Sequence, residues 1–156
     1  SSGRVESNVN TGFNVSSKWS SAILAHASAD AQKNDHNHDG FLDEPLTTRY
    51  IFMNRWAGHL NPYLTTQFGV KVLDEERTGG QAAFNRNRPY TEQDAYGIAI
   101  DTQNASAFFK LGYVFPNDSN SSVAMVANYS YHDQASLYGV KLLCRKPDSG
   151  ISLWTR

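Results

Sequence analysis

Apolar and polar residues alternate along six stretches of the chain. The clearest is LTTQFGVKVLD (64–74), in which Phe68, Val70 and Val72 are separated by single polar or small residues. Because successive side chains of an extended strand point to opposite faces, this pattern predicts a strand with one apolar and one largely polar face. The other five stretches follow the same rule, with some exceptions, over 8–15, 18–28, 49–56, 105–115 and 122–132.

The connections between these stretches alternate between short and long. Residues 16–18, 60–62 and 116–120 are short and rich in turn formers, whereas the segments near 31–47 and 75–96 are long. Strict alternation places all turns at one end of a sheet and all long loops at the other, as in outer-membrane barrels. The predicted fold is therefore all-β, an antiparallel up-and-down meander that is part of a transmembrane β-barrel.

The composition argues against a nucleic-acid-binding protein, a disulfide-rich protein and a helical membrane protein. With 14 Lys and Arg against 15 Asp and Glu, the net charge is -1, so there is no electrostatic reason to expect a nucleic-acid partner. The single cysteine, Cys144, excludes an internal disulfide framework. No apolar run reaches the 18 or so residues of a membrane helix, so a helical membrane protein is excluded. A membrane barrel is not excluded, because in its strands the lipid-facing residues are only every second residue.

Aromatic residues lie near the ends of the predicted strands, namely Trp19, Tyr50, Tyr63 and Phe115. Such residues suit a membrane interface, where the ring is half buried and its polar edge is wet. A soluble antiparallel sheet with these aromatics in its core is the alternative interpretation. On the membrane interpretation, the residues predicted to face lipid are Leu64, Phe68, Val70, Val72, Phe109, Leu111, Tyr113, Met125 and Tyr129.

Four segments, in order, resemble the barrel wall of TonB-dependent outer-membrane receptors of the Bacteroidetes type. They are KWSSAILAH, DHNHDGFLDEP, FMNRW and TTQFGVKVLDEERTGGQ, and the similarity runs from about Val5 to Lys141. The resemblance implies a barrel of 22 antiparallel strands around an N-terminal plug. It also implies import of an iron chelate, cobalamin or a glycan, driven by the TonB complex, and a location in the cell outer membrane with outer-membrane lipid and a small nutrient as partners.

The chain departs from that family in two respects. No plug domain or TonB-contact segment is visible, so the TonB complex is expected to act only through a plug absent from this sequence. After Lys141 the segment LLCRKPDSGISLWTR no longer alternates between apolar and polar residues, and it lacks a final strand that ends in an aromatic residue. We therefore expect residues 1–141 to be a partial barrel and 142–156 to be an atypical tail, either genuine or the product of a shifted reading frame.

The first long loop, NDHNHDGFLDEP, has the oxygen spacing of a calcium loop. Asp35, Asn37 and Asp39 occupy relative positions 1, 3 and 5, Phe41 offers a carbonyl at 7, and Asp43 falls at 9. Position 12 is a leucine and the flanks alternate as strands, so a helical EF-hand is rejected. Two interpretations stay open: an external loop that binds Ca²⁺, or a solvated acidic loop held by Asx-turns.

Two histidines in the same loop invite a transition-metal interpretation. In an extended loop, His36 and His38 oppose the set of oxygen ligands, so the two sets do not easily bind one ion. Exposed loop histidines are the preferred interpretation.

The second long loop carries cationic and aromatic residues. Arg77, Arg86, Arg88 and Tyr90 are candidates to hold an anionic chelate or a sugar by forked hydrogen bonds and stacking. The alternative is a loop that braces its neighbours, with Arg77 paired to Glu75 or Glu76.

No catalytic constellation is present in the sequence, since no nucleophile elbow occurs and the carboxylates concentrate in loops. We therefore expect a non-enzymatic segment of a transporter. A soluble β-sheet binding module with a calcium-stabilised loop is the alternative.

Overall fold

The described residues form a single antiparallel β-sheet. The computed structural model describes residues 3–87, 95–139, 141–145 and 148–155, and gives the backbone alone for 118–120, 141–145 and 152–155. No helix among these residues is long and apolar enough to cross a membrane. The predicted all-β meander is confirmed. Its strands are β1 (Arg4–Asn14), β2 (Trp19–Asp30), β3 (Leu46–Asn61), β4 (Leu64–Gly80), β5 (Gly97–Phe115), β6 (Asp118–Tyr138), β7 (Lys141–Arg145) and β8 (Asp148–Thr155).

Strands β1 to β7 lie side by side in chain order, each antiparallel to the next. Tight turns join β1 to β2, β3 to β4 and β5 to β6, all at one end of the sheet, which we call the turn end. The turn between β3 and β4 is held by Asn61, whose Oδ1 accepts a hydrogen bond from the Tyr63 amide at 2.9 Å. The longer connections from β2 to β3 and from β4 to β5 lie at the opposite end, the loop end.

All six predicted strands extend further towards the loop end than their alternation predicts. β3 begins at Leu46, β4 continues to Gly80, and β5 begins at Gly97. On β4 the residues beyond the predicted end are polar or glycine on both faces, so no hydrophobic period marks the strand there. On β5 the apolar residues Ile98, Ala99 and Ile100 are consecutive, so they do not alternate either. Cross-strand contacts such as the Arg49 to Glu75 ion pair stabilise these extensions instead.

The two loops at the loop end are joined to each other by backbone hydrogen bonds. The Leu42 amide donates to Gly80 O at 2.8 Å, and the Ala82 amide donates to Gly40 O at 2.9 Å. Gly40 has a φ of 84°, a left-handed conformation that glycine adopts without steric cost. The glycine of the calcium-like motif therefore serves a loop-to-loop contact.

The segment set apart as an atypical tail carries two strands. β7 pairs with β6 over 135–138, and β8 pairs with it over 125–132, so they lie end to end along one edge of β6. Pairing at an edge needs only backbone N–H and C=O groups, and so does not require an alternating side-chain pattern. The origin of this segment in a shifted frame stays a prediction.

Candidate functional site: the two faces of the sheet

The register divides the side chains into two chemically distinct faces. One row across the sheet runs Ala25, Phe52, Val72, Ala105 and Tyr131 on β2 to β6, and we call this side the apolar face. All nine residues predicted to face lipid lie on it. They are Leu64, Phe68, Val70 and Val72 on β4, Phe109, Leu111 and Tyr113 on β5, and Met125 and Tyr129 on β6.

The apolar face is a belt with sharp limits. Along β4 it extends from Leu64 to Val72, and the next residues on that face are Asp74 and Glu76. The ten residue steps from Leu64 to Asp74, the first charged residue beyond the belt, span about 33 Å along the strand at roughly 3.3 Å each. At the 35 to 45° tilt of membrane barrel strands, this corresponds to a height of about 25 Å, the usual height of a lipid-facing band.

Aromatic residues border the belt on both sides. At the loop-end border, Tyr50 lies in the same row as Asp74, where the face becomes polar. At the turn-end border, Tyr113 lies in the row of Leu64 and packs edge-on against Phe115 at 5.4 Å between ring centroids. One row further into the belt, Trp19 packs edge-on against Phe68 at 5.9 Å. The sequence places Tyr50 at a strand end, whereas β3 continues four residues beyond it, so Tyr50 marks the end of the belt instead.

No second layer covers the belt in the part of the chain that the structure describes. The only apolar residue buried among those residues is Ala99, at 4% exposure. Phe52 and Phe68 are 43% and 39% exposed, and Val70 and Val72 are 49% and 48% exposed. The sheet is therefore one layer thick and leaves its apolar face open.

The opposite side, which carries Asn8, His26, Lys71 and Asn104, is the polar face. Here His26 Nδ1 and Asn8 Oδ1 lie 2.7 Å apart, and Lys110 Nζ lies 5.8 Å from the centre of the Phe108 ring. Towards the turn end this face carries cations, whereas its carboxylates lie at the loop end. Leu24, Ile51, Met53 and Leu73 also lie on this face, so it is mixed in character, and its polar side chains suit contact with water or with polar groups.

A cluster of ions lies on the polar face at the loop end. Glu75, whose side chain is 11% exposed, forms ion pairs with Arg49 on β3 and with Arg77 two residues along β4. Next to this cluster is a pocket of about 390 Å³, which Asp30 and Glu44 also line. Arg49, Asp30 and Glu44 are not candidates from the sequence, because only the register brings these distant positions together.

The predicted ligand-binding set is divided between the two faces. Arg77 belongs to the polar-face cluster. Arg86 donates to both carboxylate oxygens of Asp101, at 2.8 and 2.7 Å, and its contact with Glu76 is 3.4 Å, so it lies over the acidic rows of the apolar face. Arg88 and Tyr90 lie outside the described residues.

The calcium-like loop is held by hydrogen bonds to its own carboxylates. Asp35 accepts from the amides of Asp39 and Gly40 at 3.1 and 3.0 Å, and Asp39 accepts from the amide of Phe41 at 2.8 Å. The side-chain amide of Asn37 donates to Asp39 at 2.9 Å. These contacts are those of an Asx-held loop.

Asp43 closes the same loop. Its Oδ2 accepts a hydrogen bond from the His36 amide at 2.8 Å and lies 2.8 Å from His36 Nδ1, and these bonds lower the pKa of the Asp43 carboxyl. His38 Nδ1 contacts Asp35 O at 3.0 Å. Over the described ranges, no three His, Cys, Asp or Glu side chains converge on a common point where a metal ion would fit. The set Asp35, Asn37, Asp39, Phe41 and Asp43 therefore stays a prediction as a calcium site.

Comparison with protein-family models, with curated proteins and with solved structures finds no match to this chain.

Proposed function

We propose that this chain is a segment of the barrel wall of a TonB-dependent outer-membrane transporter, contributing strands and external loops to the import of an iron chelate, cobalamin or a glycan. The observation that carries the proposal is a one-layer sheet whose apolar face is an uncovered belt bordered by aromatic rings. The family itself rests on the resemblance of the four sequence segments.

Hydrocarbon is the cover that best suits the belt. A continuous apolar surface of this size is unfavourable in water, whereas lipid chains cover it at no such cost. A belt of about 25 Å bordered by aromatic residues has the dimensions of a membrane barrel's outer band. The change from Val72 to Asp74 and Glu76 then marks the outer membrane surface, and the strands continue beyond it into the external medium.

The edges of the sheet support a wall segment rather than a closed barrel. Among the strands that the structure describes, β1 pairs only with β2, so its other edge, from Arg4 to Asn14, has no partner strand there. Unpaired N–H and C=O groups are costly in lipid, so each edge requires a neighbouring strand. We therefore propose that further strands complete the barrel. The polar face then lines the barrel interior, through which the nutrient passes. A plug domain within that interior provides the contact with the TonB complex.

A soluble binding module with a calcium-stabilised loop is less well supported. Such a module would need a second layer over Phe52, Phe68, Val70 and Val72, and within the described ranges nothing packs on them. The hydrogen bonds of the 35–43 loop order that loop in either setting.

The test is a charge placed at the middle of the belt. Phe68→Arg, in the complete protein expressed in a Gram-negative outer membrane, puts a guanidinium near the bilayer midplane. We expect a cost of about 2–4 kcal/mol, measured as a loss of assembled, heat-modifiable barrel. The matched control is Gln67→Arg, because Gln67 lies next in the chain, at the same depth, on the polar face.

The control variant is expected to assemble like the parent protein. Equal assembly of both variants would refute the assignment of faces. A chain that is monomeric and compact in water without detergent would refute the membrane proposal itself.

A further inference from the structure

The pocket at the loop end of the polar face has a lining of mixed charge. Its volume is about 390 Å³, which lies in the range of small-molecule sites. The charged side chains that line it are Arg4, Asp30, Glu44, Arg49 and Arg77. Arg4 is the cross-strand partner of Asp30 and forms an ion pair with Glu6 at 3.3 Å, at the edge of the sheet.

The two carboxylates that line the pocket, Asp30 and Glu44, do not take part in the ion pairs around it. Neither Asp30 nor Glu44 forms an ion pair with any residue that the structure describes. Asp30 Oδ1 is shielded from solvent and receives no hydrogen bond. A shielded carboxylate oxygen without a donor is unfavourable, so a cationic group beside Asp30 Oδ1 would be stabilised there.

The guanidinium groups of Arg49 and Arg77 carry more positive charge than their shared carboxylate neutralises. Arg49 and Arg77 both bind Glu75, so two positive charges share one carboxylate. Each makes this contact through its Nε, and no other acceptor for either guanidinium group is found among the described residues. Paired terminal N–H groups are suited to a carboxylate.

The register sets the distance between the negative and positive parts of the pocket. Asp30, Thr47 and Arg77 are direct partners on β2, β3 and β4, so Asp30 and Arg77 are two strand spacings apart, roughly 9–10 Å between backbones. An extended peptide spans about 3.3–3.6 Å per residue. A solute of two or three residues therefore matches the separation.

We propose that this pocket binds a zwitterionic solute, with its ammonium group at Asp30 and Glu44 and its carboxylate at Arg49 and Arg77. Short peptides and amino-acid-based chelators belong to this class. The inference rests on the proposed function, since it takes the polar face as the barrel interior and the loop end as its external mouth. To that function the inference adds the chemical class of the solute, which would bind at the external mouth before it enters the barrel.

The test compares three forms of one small probe on the complete, detergent-solubilised protein. Triglycine carries both charges, N-acetyl-triglycine only the carboxylate, and triglycine amide only the ammonium group. We expect triglycine to bind at least tenfold more tightly than either capped form by isothermal titration. Asp30→Asn and Arg77→Gln are each expected to weaken triglycine binding by about tenfold or more, the usual effect of losing a hydrogen bond to a charged group.

Two further variants guard against an effect on folding. Glu44→Gln changes a loop residue outside the strands and is expected to weaken triglycine and the amide but not the acetylated form. Arg55→Gln, on the same face towards the turn end, is expected to leave all three affinities unchanged. Equal binding of the capped and uncapped probes, or unchanged affinity in Asp30→Asn and Arg77→Gln, would overturn the inference. Failed binding by a protein that assembles in the membrane would leave the transporter proposal standing, whereas the Phe68→Arg experiment tests that proposal alone.

Discussion

Gly69 and Phe108 face each other across β4 and β5, and the Phe108 ring lies over the glycine. A Cβ at position 69 would come within 2.7 Å of the ring and 2.9 Å of Asn54 O. An aromatic ring over a cross-strand glycine fills the space that the missing side chain leaves and fixes the register of the pair. The pair lies on the polar face, so this apolar contact brings β4 and β5 together away from the belt.

We expect Gly69→Ala to destabilise the sheet by about 1–3 kcal/mol, because the new methyl group overlaps both the ring and a backbone oxygen. The measurement is the midpoint of urea unfolding in lipid or detergent. Gly12→Ala is the matched control on the same face, since a Cβ there meets its nearest atom at 3.7 Å, an ordinary contact. Equal stability of the two variants would contradict the close packing of Phe108.

Glu75 holds two guanidinium groups that would otherwise repel each other. Glu75→Gln is expected to lower the free energy of unfolding by about 1–3 kcal/mol, because both ion pairs lose their charge at a largely shielded position. Glu76→Gln is the control, since Glu76 is the next residue, lies on the other face and is 58% exposed. Its effect is expected to stay within about 0.5 kcal/mol. A larger loss in the control would indicate that the apolar-face cluster dominates instead.

Arg86 and Asp101 form a bidentate pair whose side chains are 27% and 43% exposed. A double-mutant cycle with Arg86→Ala and Asp101→Ala is expected to give a coupling energy of about 0.5–1 kcal/mol, as for partly exposed ion pairs. The same variants should increase proteolysis within 81–87, because the pair fastens this segment to β5. A coupling energy of zero would show that Arg86 is free to bind a ligand, which is the role that the sequence predicts for it.

The 35–43 loop is expected to loosen in acid. Hydrogen bonds from the backbone and side chain of His36 lower the pKa of Asp43 below its ordinary value of 3.8. A lowered folded-state pKa means that the carboxylate supports the loop above pH 3.8, and that this support is lost as the pH falls through the lowered value. Protease cleavage of the loop, followed from pH 6 to pH 2, should rise in that window. In Asp43→Asn the rise should be smaller than in the parent protein, because only the Asp35 and Asp39 carboxylates then respond, and an unchanged rise would exclude Asp43 as a source.

Alternation in the sequence predicts the faces of the sheet correctly because it is a local property. Side chains at 64, 68, 70 and 72 share a face in any extended strand, whatever its neighbours are. Glycine, proline and asparagine also act locally, so the three tight turns could be placed from sequence. The ends of the strands could not, because from Asp74 to Gly80 the two faces differ little in polarity.

The contacts at the loop end depend on long-range register, which no local pattern encodes. Arg49 and Glu75 are 26 positions apart, and Asp30 reaches the same pocket only because β2, β3 and β4 pair in one particular alignment. For the same reason the sequence groups Arg77 with Arg86, whereas the sheet separates them onto opposite faces. The sequence by itself determined that this protein is a two-faced meander with an apolar belt, because the hydrophobic period can be read within each single strand. Only the tertiary structure decided which charges meet, because pairing between strands joins residues that the chain keeps apart.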